Sequence, residues 1–385
     1  MYNNEQPDEL LKLKKKTFFQ KIFTTEYNIG FGTPTTDACS KCIELKGKVK
    51  NKTNAQTKNK FMTDMAFHKM RYKAFFRKLQ EKREDLLTLS FYCQKNLVLP
   101  KVQDQTAYYS RQIYIYNNFS IVKGSSKDGL SPENVFCYTW MEHEHKKGAN
   151  EIASAVFHQL SILELLASVS TIRLCADGCG GQNRNSIIIG MLHYFLAKVA
   201  PPNIKEIQVI FPITGHSFLP DRVFASIEKK LQHSTIFRPG TDLNIYDWKT
   251  FAETYFKKTG SWHFKFNEAK RFILTKSAQQ NVLLRGETSY NSDISTGKLI
   301  VKKGIKIKSA TLPGQIPMGV ALKAVKIQDV KNLLKKHFGE TWTTMEECSF
   351  YQNVLETMTA IHEAEDLEQD EFCEGHENEQ LADRV

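Results

Sequence analysis

The chain has 385 residues, 41% of them hydrophobic, so it can bury a sizeable core and is long enough for two or three domains. No run of about 18 apolar residues is present, and residues 1–16 carry charges where a secretory signal needs an apolar segment. We therefore expect an intracellular protein without a membrane segment, in which the eight cysteines are buried thiols or metal ligands.

The net charge of +11 is distributed unevenly. Residues 361–385 contain ten acidic side chains and the single basic Arg384, so this segment carries about −9 and the rest of the chain about +20. The strongly basic part of the chain is expected to attract polyanions, which favours nucleic-acid binding over the alternative of a merely soluble basic protein. The tail from 363 to 385 is predicted to be disordered, as a solvated terminus or a competitor for the basic surface.

The spacing of apolar residues changes along the chain and predicts first helices and then strands. Apolar side chains recur every three or four residues in two N-terminal helices, and runs rich in β-branched and aromatic residues then indicate three strands. Helices and strands alternate after these. In chain order the elements are helix 9–26, a polar segment 46–60, helix 56–85, strands 86–92, 109–124 and 134–142, helix 149–168, a strand ending at Asp177, helix 185–199, strand 204–211 and helix 220–233.

The order βββαβαβα is that of the RNase-H-like fold, an α/β mixed sheet flanked by helices. It assigns 86–238 to the core and 1–85 to an N-terminal helical region. Residues 239–362 differ in character and are predicted to form a separate basic α+β module. Basic and aromatic residues alternate at 246–272, which indicates either base stacking and phosphate binding or, more commonly, a helix with its aromatic rings in the core.

Several acids are candidates for a metal-dependent phosphoryl-transfer site. Asp177 ends an apolar strand and stands before a glycine-rich turn, as a metal ligand or as a turn residue that caps the next helix. Asp221 and Glu228 are seven residues apart on one stripe of a helix, although they are about 10.5 Å apart along its axis and cannot bind one ion together. Each is alternatively a surface charge or an N-terminal helix acid. Glu151 has the same two interpretations, and His216 either assists proton transfer or bonds to the backbone.

Six blocks of the chain resemble a family of transposon-derived proteins. In that family the core contains Asp-[Leu/Cys]-Gln-Lys, then Ser-Asp-x-Cys-Gly-Gly-Gln-Asn-Lys-Asn, then Gly-His-[Ser/Thr] followed by acidic residues. The resemblance covers roughly residues 28 to 233, more than half of the chain. The blocks are FGTPTTDACSKC, YCQKNLVLPK, YYSRQIYIYN, KGANEIASA, ADGCGGQNRN and TGHSFLPDRVFASIEKK.

The family is similar to DDE-type transposases of RNase-H-like fold. The resemblance implies that Asp177 is the second metal-binding acid, that Asp221 or Glu228 is the third, and that Glu151 supports them, with Asp177 and Asp221 holding magnesium. Where the family has its first acid this chain has Tyr92, a phenol that is neutral at pH 7 and cannot replace a bridging carboxylate. The segment from His216 to Asp221 is also one residue shorter than the family pattern, and both departures indicate a degenerate or repurposed copy.

A second candidate metal site lies near the N-terminus. Cys39 and Cys42 form a CxxC pair, and His68 follows 26 residues later in the next predicted helix, as in the family pattern. Two thiolates and an imidazole are zinc ligands, but a structural site needs a fourth, for which Asp37, Cys93 or a second chain are the candidates. The alternatives are a redox pair or two inert thiols, and no thioredoxin-like βαβ pattern surrounds the motif.

Together these patterns predict a nuclear, transposase-derived protein that binds nucleic acid and has lost most or all of an ancestral Mg²⁺-dependent strand-transfer activity. Two alternatives stay open. One is an active nuclease that uses Glu151, Asp177 and either Asp221 or Glu228. The other is a non-catalytic scaffold or DNA-binding adaptor. A homo-oligomer is left open as well.

Overall fold

The computed structural model of the chain describes residues 25–26, 39–51, 54–102, 104–213, 219–231 and 243–358. Most of the helix predicted at 9–26, the candidate His216 and the acidic tail lie outside these residues, as does Asp37. Among the described residues, no helix combines the length and the apolar character needed to cross a membrane.

The chain folds into an α/β structure around one mixed sheet of eight strands. The strands are β1 (Leu86–Cys93), β2 (Leu97–Leu99), β3 (Ile113–Lys123), β4 (Val135–Met141), β5 (Thr171–Ala176), β6 (Glu206–Ile210), β7 (Arg271–Lys276) and β8 (Val282–Glu287). The helices are α1 (Ser40–Asn51), α2 (Ala55–Gln80), α3 (Gln105–Tyr109), α4 (Ala149–Ile162), α5 (Ser186–Tyr194), α6 (Leu219–Leu231), α7 (Trp248–Tyr255) and α8 (Ala324–Phe338). A π-helix, Phe195–Val199, continues α5.

The centre of the sheet is parallel and its edges are antiparallel. β1 pairs with β5 and β5 with β6, all in parallel, while β3 runs antiparallel to β1 and to β4. β2 pairs with β3 beyond the end of β1. The strands that lead to Tyr92 and Asp177 are therefore adjacent and parallel.

Both faces of the sheet are covered by helices. On one face, α4, α5 and α7 bury their apolar sides against Phe91, Leu174 and Val209 in the largest core cluster. On the other face the end of α2 packs Phe75 and Leu79 near Cys175 and Ile210. α6 lies against β1 and β3 on that side, with Val223 next to Val122. Alternation of side chains along the central strands produces these two apolar faces.

Residues beyond 239 continue this structure, so the boundary predicted at 239 does not divide the sheet. β7 pairs with β6, and β8 pairs with β7, both antiparallel. At the other edge α8 packs Ile327, Val330 and Leu334 against Ile113 of β3, together with a helix that begins at residue 349. Residues beyond 239 belong to the same structure because their apolar surfaces are buried against the sheet. They also cover its edge strands, which would otherwise be exposed.

Several local predictions need correction. The polar segment predicted at 46–60 contains the end of α1 and the start of α2, which the absence of an apolar stripe concealed. Within the predicted α+β module, residues 297–309 form isolated β-bridges and a short 3₁₀ turn, Ile307–Ser309, and no named strand. The helix predicted at 149–168 ends at Ile162. In the basic and aromatic stretch, Trp248, Phe256 and Trp262 are buried, so the aromatic rings belong to the core.

Candidate functional site

Tyr92 and Asp177 stand at the carboxyl ends of β1 and β5. Phe91 pairs with Ala176 in the parallel register, which places the next residue of each strand side by side. Burial raises the pKa of the Tyr92 phenol, and the nearby carboxylates of Asp177 and Asp221 raise it further. Tyr92 is therefore a neutral group at pH 7 that lies near two acids.

The carboxyl group of Asp177 is held in a partly buried environment. Asn183 Nδ2 donates a hydrogen bond to Asp177 Oδ1, while the Oδ1 atom of Asn183 is buried without a hydrogen-bond partner among the described residues. Burial raises the pKa of Asp177, and the hydrogen bonds from Asn183 and from the Cys179 backbone lower it, as does the charge of Lys147. The glycine-rich turn thus bends back so that its own amide group positions the strand-end acid.

Helix α6 supplies the two remaining acids of the predicted set at different places. Asp221, in its first turn, is close enough to Tyr92 to affect the phenol's pKa, and the rings of Phe224 and Tyr92 are 5.8 Å apart between centroids. Glu228 lies two turns further along, where its Oε1 accepts a hydrogen bond of 2.8 Å from Gln94 Nε2. The structure therefore brings Asp221 near Tyr92, and it brings Glu228 to the segment that follows β1.

Lys147 is a member of the site that the sequence interpretation missed. Its ammonium group donates hydrogen bonds to Gln94 O at 2.9 Å and to Asn96 Oδ1 at 2.7 Å. Burial lowers the pKa of Lys147, and the negative charges of Cys93, Cys179 and Asp177, when ionised, raise it. A fixed positive charge therefore stands near Asp177. One feature of the sequence could have pointed to these residues: Gln94, Lys147 and Asn183 all lie in polar segments next to the ends of predicted strands or helices.

Glu151 is directed to its own helix. Its Oε2 accepts a hydrogen bond of 3.0 Å from the Gly148 N–H at the start of α4, in the manner of a capping box. Burial raises the pKa of this carboxyl, and the helix N–H groups and Lys146 lower it. These contacts match the helix-acid interpretation of Glu151. His216, the predicted proton-transfer group, lies outside the described residues.

The Cys39, Cys42 and His68 side chains converge as predicted. Their ligand atoms all lie within 4.8 Å of one another, and Cys39 Sγ is 3.2 Å from His68 Nε2. The two thiols flank the start of α1 and the imidazole projects from the middle of α2, so packing of the two helices forms the group. Burial raises the pKa of the Cys42 thiol, and a hydrogen bond with Cys39 raises it further.

This donor set fits a metal such as zinc, because two thiolates and one imidazole leave one position of a tetrahedron for a further ligand. Cys93 is not that ligand, since it is buried in the sheet core and its charged neighbours are Lys147 and Asp177. In the described part of the chain, no other group of three His, Cys, Asp or Glu side chains is gathered this closely. Asp177 and Asp221 therefore do not form a three-acid magnesium cluster there.

No protein-family model matches this chain, and no curated protein is significantly similar to it.

Proposed function

We propose that this protein is a transposase-derived, nucleic-acid-binding protein with an RNase-H-like core in which the first metal-binding acid has been replaced by Tyr92. The order of elements supports the fold. Three antiparallel strands, β1, β3 and β4, are followed by α4, β5, α5, β6 and α6, with β1 and β5 paired at the centre of the sheet. In this proposal β7 and β8 are additions to one edge of that arrangement.

The observation that carries the proposal is the position of Tyr92 beside Asp177 and near Asp221. In an RNase-H-like nuclease this place holds a carboxylate that helps to bind two divalent ions about 3.5 to 4 Å apart. A neutral phenol offers no negative charge to such ions. Catalysis of strand cleavage is therefore expected to be lost or strongly impaired in this chain.

The non-catalytic adaptor interpretation gains support from Lys147. Its ammonium group is held by Gln94 and Asn96 and acts on Asp177. A resident positive charge near the strand-end acid opposes the binding of a divalent cation there, because like charges repel. The Asp177 carboxylate keeps a partner without any metal, which is consistent with a site that serves the architecture of the protein.

Binding to nucleic acid is proposed from charge. Outside the acidic segment the chain carries about +20, and such an excess attracts a phosphate backbone. The resemblance to DDE-type transposases, rather than the charge, makes DNA the proposed partner and the nucleus the proposed location. The affinity should decrease steeply with salt, because each neutralised phosphate releases counterions.

The test compares the full chain with three variants in DNA-binding and DNA-nicking assays containing Mg²⁺ or Mn²⁺. Tyr92→Asp restores a carboxylate, Tyr92→Asn is its uncharged control of the same shape, and Asp177→Ala removes the second acid. We expect salt-sensitive DNA binding by wild type, without nicking. Nicking by Tyr92→Asp but not by Tyr92→Asn would support the ancestral site.

Three other results would change the proposal. If wild type nicks DNA and Asp177→Ala does not, the protein is an active nuclease and the inactive interpretation is wrong. If neither wild type nor Tyr92→Asp nicks DNA while both bind it, the protein is a DNA-binding adaptor. Absence of DNA binding at about 0.05 M salt would contradict the nucleic-acid proposal itself.

A further inference from the structure

A hollow of about 700 Å³ lies at the end of the sheet that is remote from Asp177. Its walls come from the end of α5, the π-helix, the start of β8 and the segment 299–308. β8 runs parallel to β5, because both are linked through the antiparallel strand β7 and the parallel pair β5 and β6. Val282 therefore lies at the same end of the sheet as the amino end of β5, about 20 Å from the level of Asp177 along the strand direction.

Five lysines surround this basic hollow, and no acidic residue lines it. All five are exposed, and none of them forms a salt bridge within the residues that the structure describes. Lys302 Nζ donates a hydrogen bond to the Glu253 backbone carbonyl, which leaves its charge uncompensated. So many like charges around one concavity repel one another and favour an anionic ligand. The lysines are Lys257, Lys302, Lys303, Lys306 and Lys308.

A buried histidine lies in the wall of the same hollow. His193 is 2% exposed, and neither of its ring nitrogens has a hydrogen-bond partner of normal geometry among the described residues. Burial lowers the pKa of His193 to about 4, and the backbone groups of Val282 and of His193 itself act in the opposite direction. At pH 7 the ring is neutral and offers one donor and one acceptor. Buried polar atoms are normally paired, so the ring of His193, in the wall of the hollow, is a candidate contact for a bound ligand.

The remaining wall is apolar and includes a π-helix. Ala197, in the π-helix, stands opposite Leu299 and Val301, and Leu299 is 49% exposed. Short π-helices occur frequently at functional sites. The volume is within the usual range for pockets that bind a small molecule of nucleotide size. The hollow thus combines positive charge, an apolar wall and one neutral hydrogen-bonding ring.

We propose that the basic hollow binds a nucleotide, with its phosphates on Lys302, Lys303 and Lys306 and its base between Leu299 and Val301, directed to His193. The nucleotide is either free in solution or one unit of a single-stranded nucleic acid, since both offer the same chemistry. This site does not depend on the proposed function, because it shares no residue with the Tyr92 and Asp177 site.

The experiment titrates the full chain with a fluorescent ATP analogue and with a labelled ten-residue thymidine oligonucleotide at about 0.15 M salt. The double variant Lys303→Glu/Lys306→Glu reverses two charges of the hollow. Its matched control, Lys58→Glu/Lys60→Glu, makes the same change on exposed residues of α2. We expect the first pair to weaken binding about tenfold or more, and the control to change it less than about twofold.

His193→Leu tests the base contact separately. We expect this variant to bind inorganic tripolyphosphate like wild type but to lose the preference for ATP over tripolyphosphate. Its melting temperature shows whether it is folded, and the lysine pair tests the site even if it is not. Displacement of the ATP analogue by ATP but not by the oligonucleotide identifies a free nucleotide as the ligand, and the reverse identifies a strand.

Three results would overturn the nucleotide site. The first is that neither probe binds at millimolar concentration. The second is that both lysine pairs weaken binding equally, which would show a general charge effect. The third is that tripolyphosphate displaces the ATP analogue from wild type as well as ATP does, which would leave no role for the base. Failure of the oligonucleotide to bind would also count against the proposed DNA binding, whereas nicking by Tyr92→Asp is independent of all three results, because neither Tyr92 nor Asp177 lines the hollow.

Discussion

Tyr92 and Asp177 lie side by side at the carboxyl ends of two adjacent parallel strands. The neutral phenol of Tyr92 therefore lies next to the carboxyl group of Asp177, whose pKa is raised by burial. A functional site that keeps such a carboxylate does so at the expense of stability, because burial disfavours its charged form. The burial of Asp177 should therefore lower the stability of the folded protein at neutral pH, whether or not the site is catalytic.

We expect Asp177→Asn to be more stable than wild type at pH 7. Since the pKa of Asp177 is raised in the folded state, its favourable contribution is complete below the ordinary value of 3.8 and is lost as the pH rises through the raised value. The amide variant avoids that loss and can still accept the hydrogen bond from Asn183. The gain should be about 0.5 to 2 kcal/mol in the free energy of unfolding at pH 7 and should disappear below about pH 3.5.

Asp85→Asn is the control of opposite sign. Hydrogen bonding to Arg83 lowers the pKa of Asp85, so its contribution to stability is present at neutral pH and is lost as the pH falls through the lowered value. Urea unfolding of both variants between pH 3 and pH 7 makes the comparison. A less stable Asp177→Asn at pH 7 would show that hydrogen bonds and Lys147 outweigh burial at this carboxyl.

The Cys39, Cys42 and His68 group predicts one zinc ion per chain. Cys39→Ser should weaken zinc binding by more than about 100-fold, because replacement of a direct ligand exceeds the effect of losing an outer hydrogen-bond partner. Cys137→Ser, which changes a cysteine of β4 away from this group, should leave the zinc content unchanged. Metal analysis of the purified variants makes the measurement, and a zinc-free wild type would refute the site.

Zinc binding at this group should also depend on pH in a defined direction. Burial and the neighbouring Cys39 raise the pKa of the Cys42 thiol, while zinc binds the thiolate. Binding must therefore release protons, and the affinity should increase as the pH rises from 6 to 9. Competition with a chromogenic chelator across this range tests the slope, and a flat profile would mean that the thiols are not ligands.

Arg173 is predicted to be essential for the stability of the sheet. This side chain is 1% exposed in β5, where it forms a salt bridge of 3.0 Å with Glu81 and donates hydrogen bonds to the Lys78 carbonyl and to Gln208 Oε1. Glu81 keeps Lys78 and Arg83 as partners when the guanidinium is removed, but the Lys78 carbonyl and Gln208 Oε1 lose a buried donor. We expect Arg173→Ala to reduce the free energy of unfolding by about 2 to 4 kcal/mol, from these lost hydrogen bonds and the lost packing of a buried side chain.

The control for this change is Arg111→Ala, because Arg111 is largely exposed in its salt bridge with Asp329. Arg111→Ala should reduce the free energy of unfolding by no more than about 1 kcal/mol. Urea denaturation monitored by tryptophan fluorescence compares the two variants. Equal losses for Arg173 and Arg111 would show that the buried guanidinium has no special role in joining the end of α2 to the sheet.

Gly286 is required by close packing in β8. A Cβ atom at this position would lie only 2.3 Å from a ring carbon of Phe264, whose ring packs against Trp262 and Phe272. We expect Gly286→Ala to lower stability by about 1 to 3 kcal/mol, the usual effect of overpacking. Gly260→Ala, where a Cβ meets nothing within 4 Å, should be neutral or stabilising by up to about 1 kcal/mol. A tolerated Gly286→Ala would show that Phe264 moves aside easily.

The strands around the site could be predicted from the sequence because their signals are local. The apolar runs that became β1, β5 and β6 are short and rich in β-branched residues, and the spacing of Cys39, Cys42 and His68 was legible without a structure. α1 was missed because only Leu45 of this helix is buried, so it shows no apolar stripe. The periodicity of apolar residues is a local property of the sequence. It therefore predicts a helix or strand wherever that element buries one face.

Only the tertiary structure decided which distant residues share a site. β7 joins β6, and α8 covers the other edge of the sheet, although both follow the predicted domain boundary. Lys147 donates hydrogen bonds to Gln94 and Asn96, which are about fifty residues away in the sequence. His193 lines the same hollow as five lysines from two other segments. Strand partners and side-chain clusters depend on long-range burial and charge, which no local period of the sequence records.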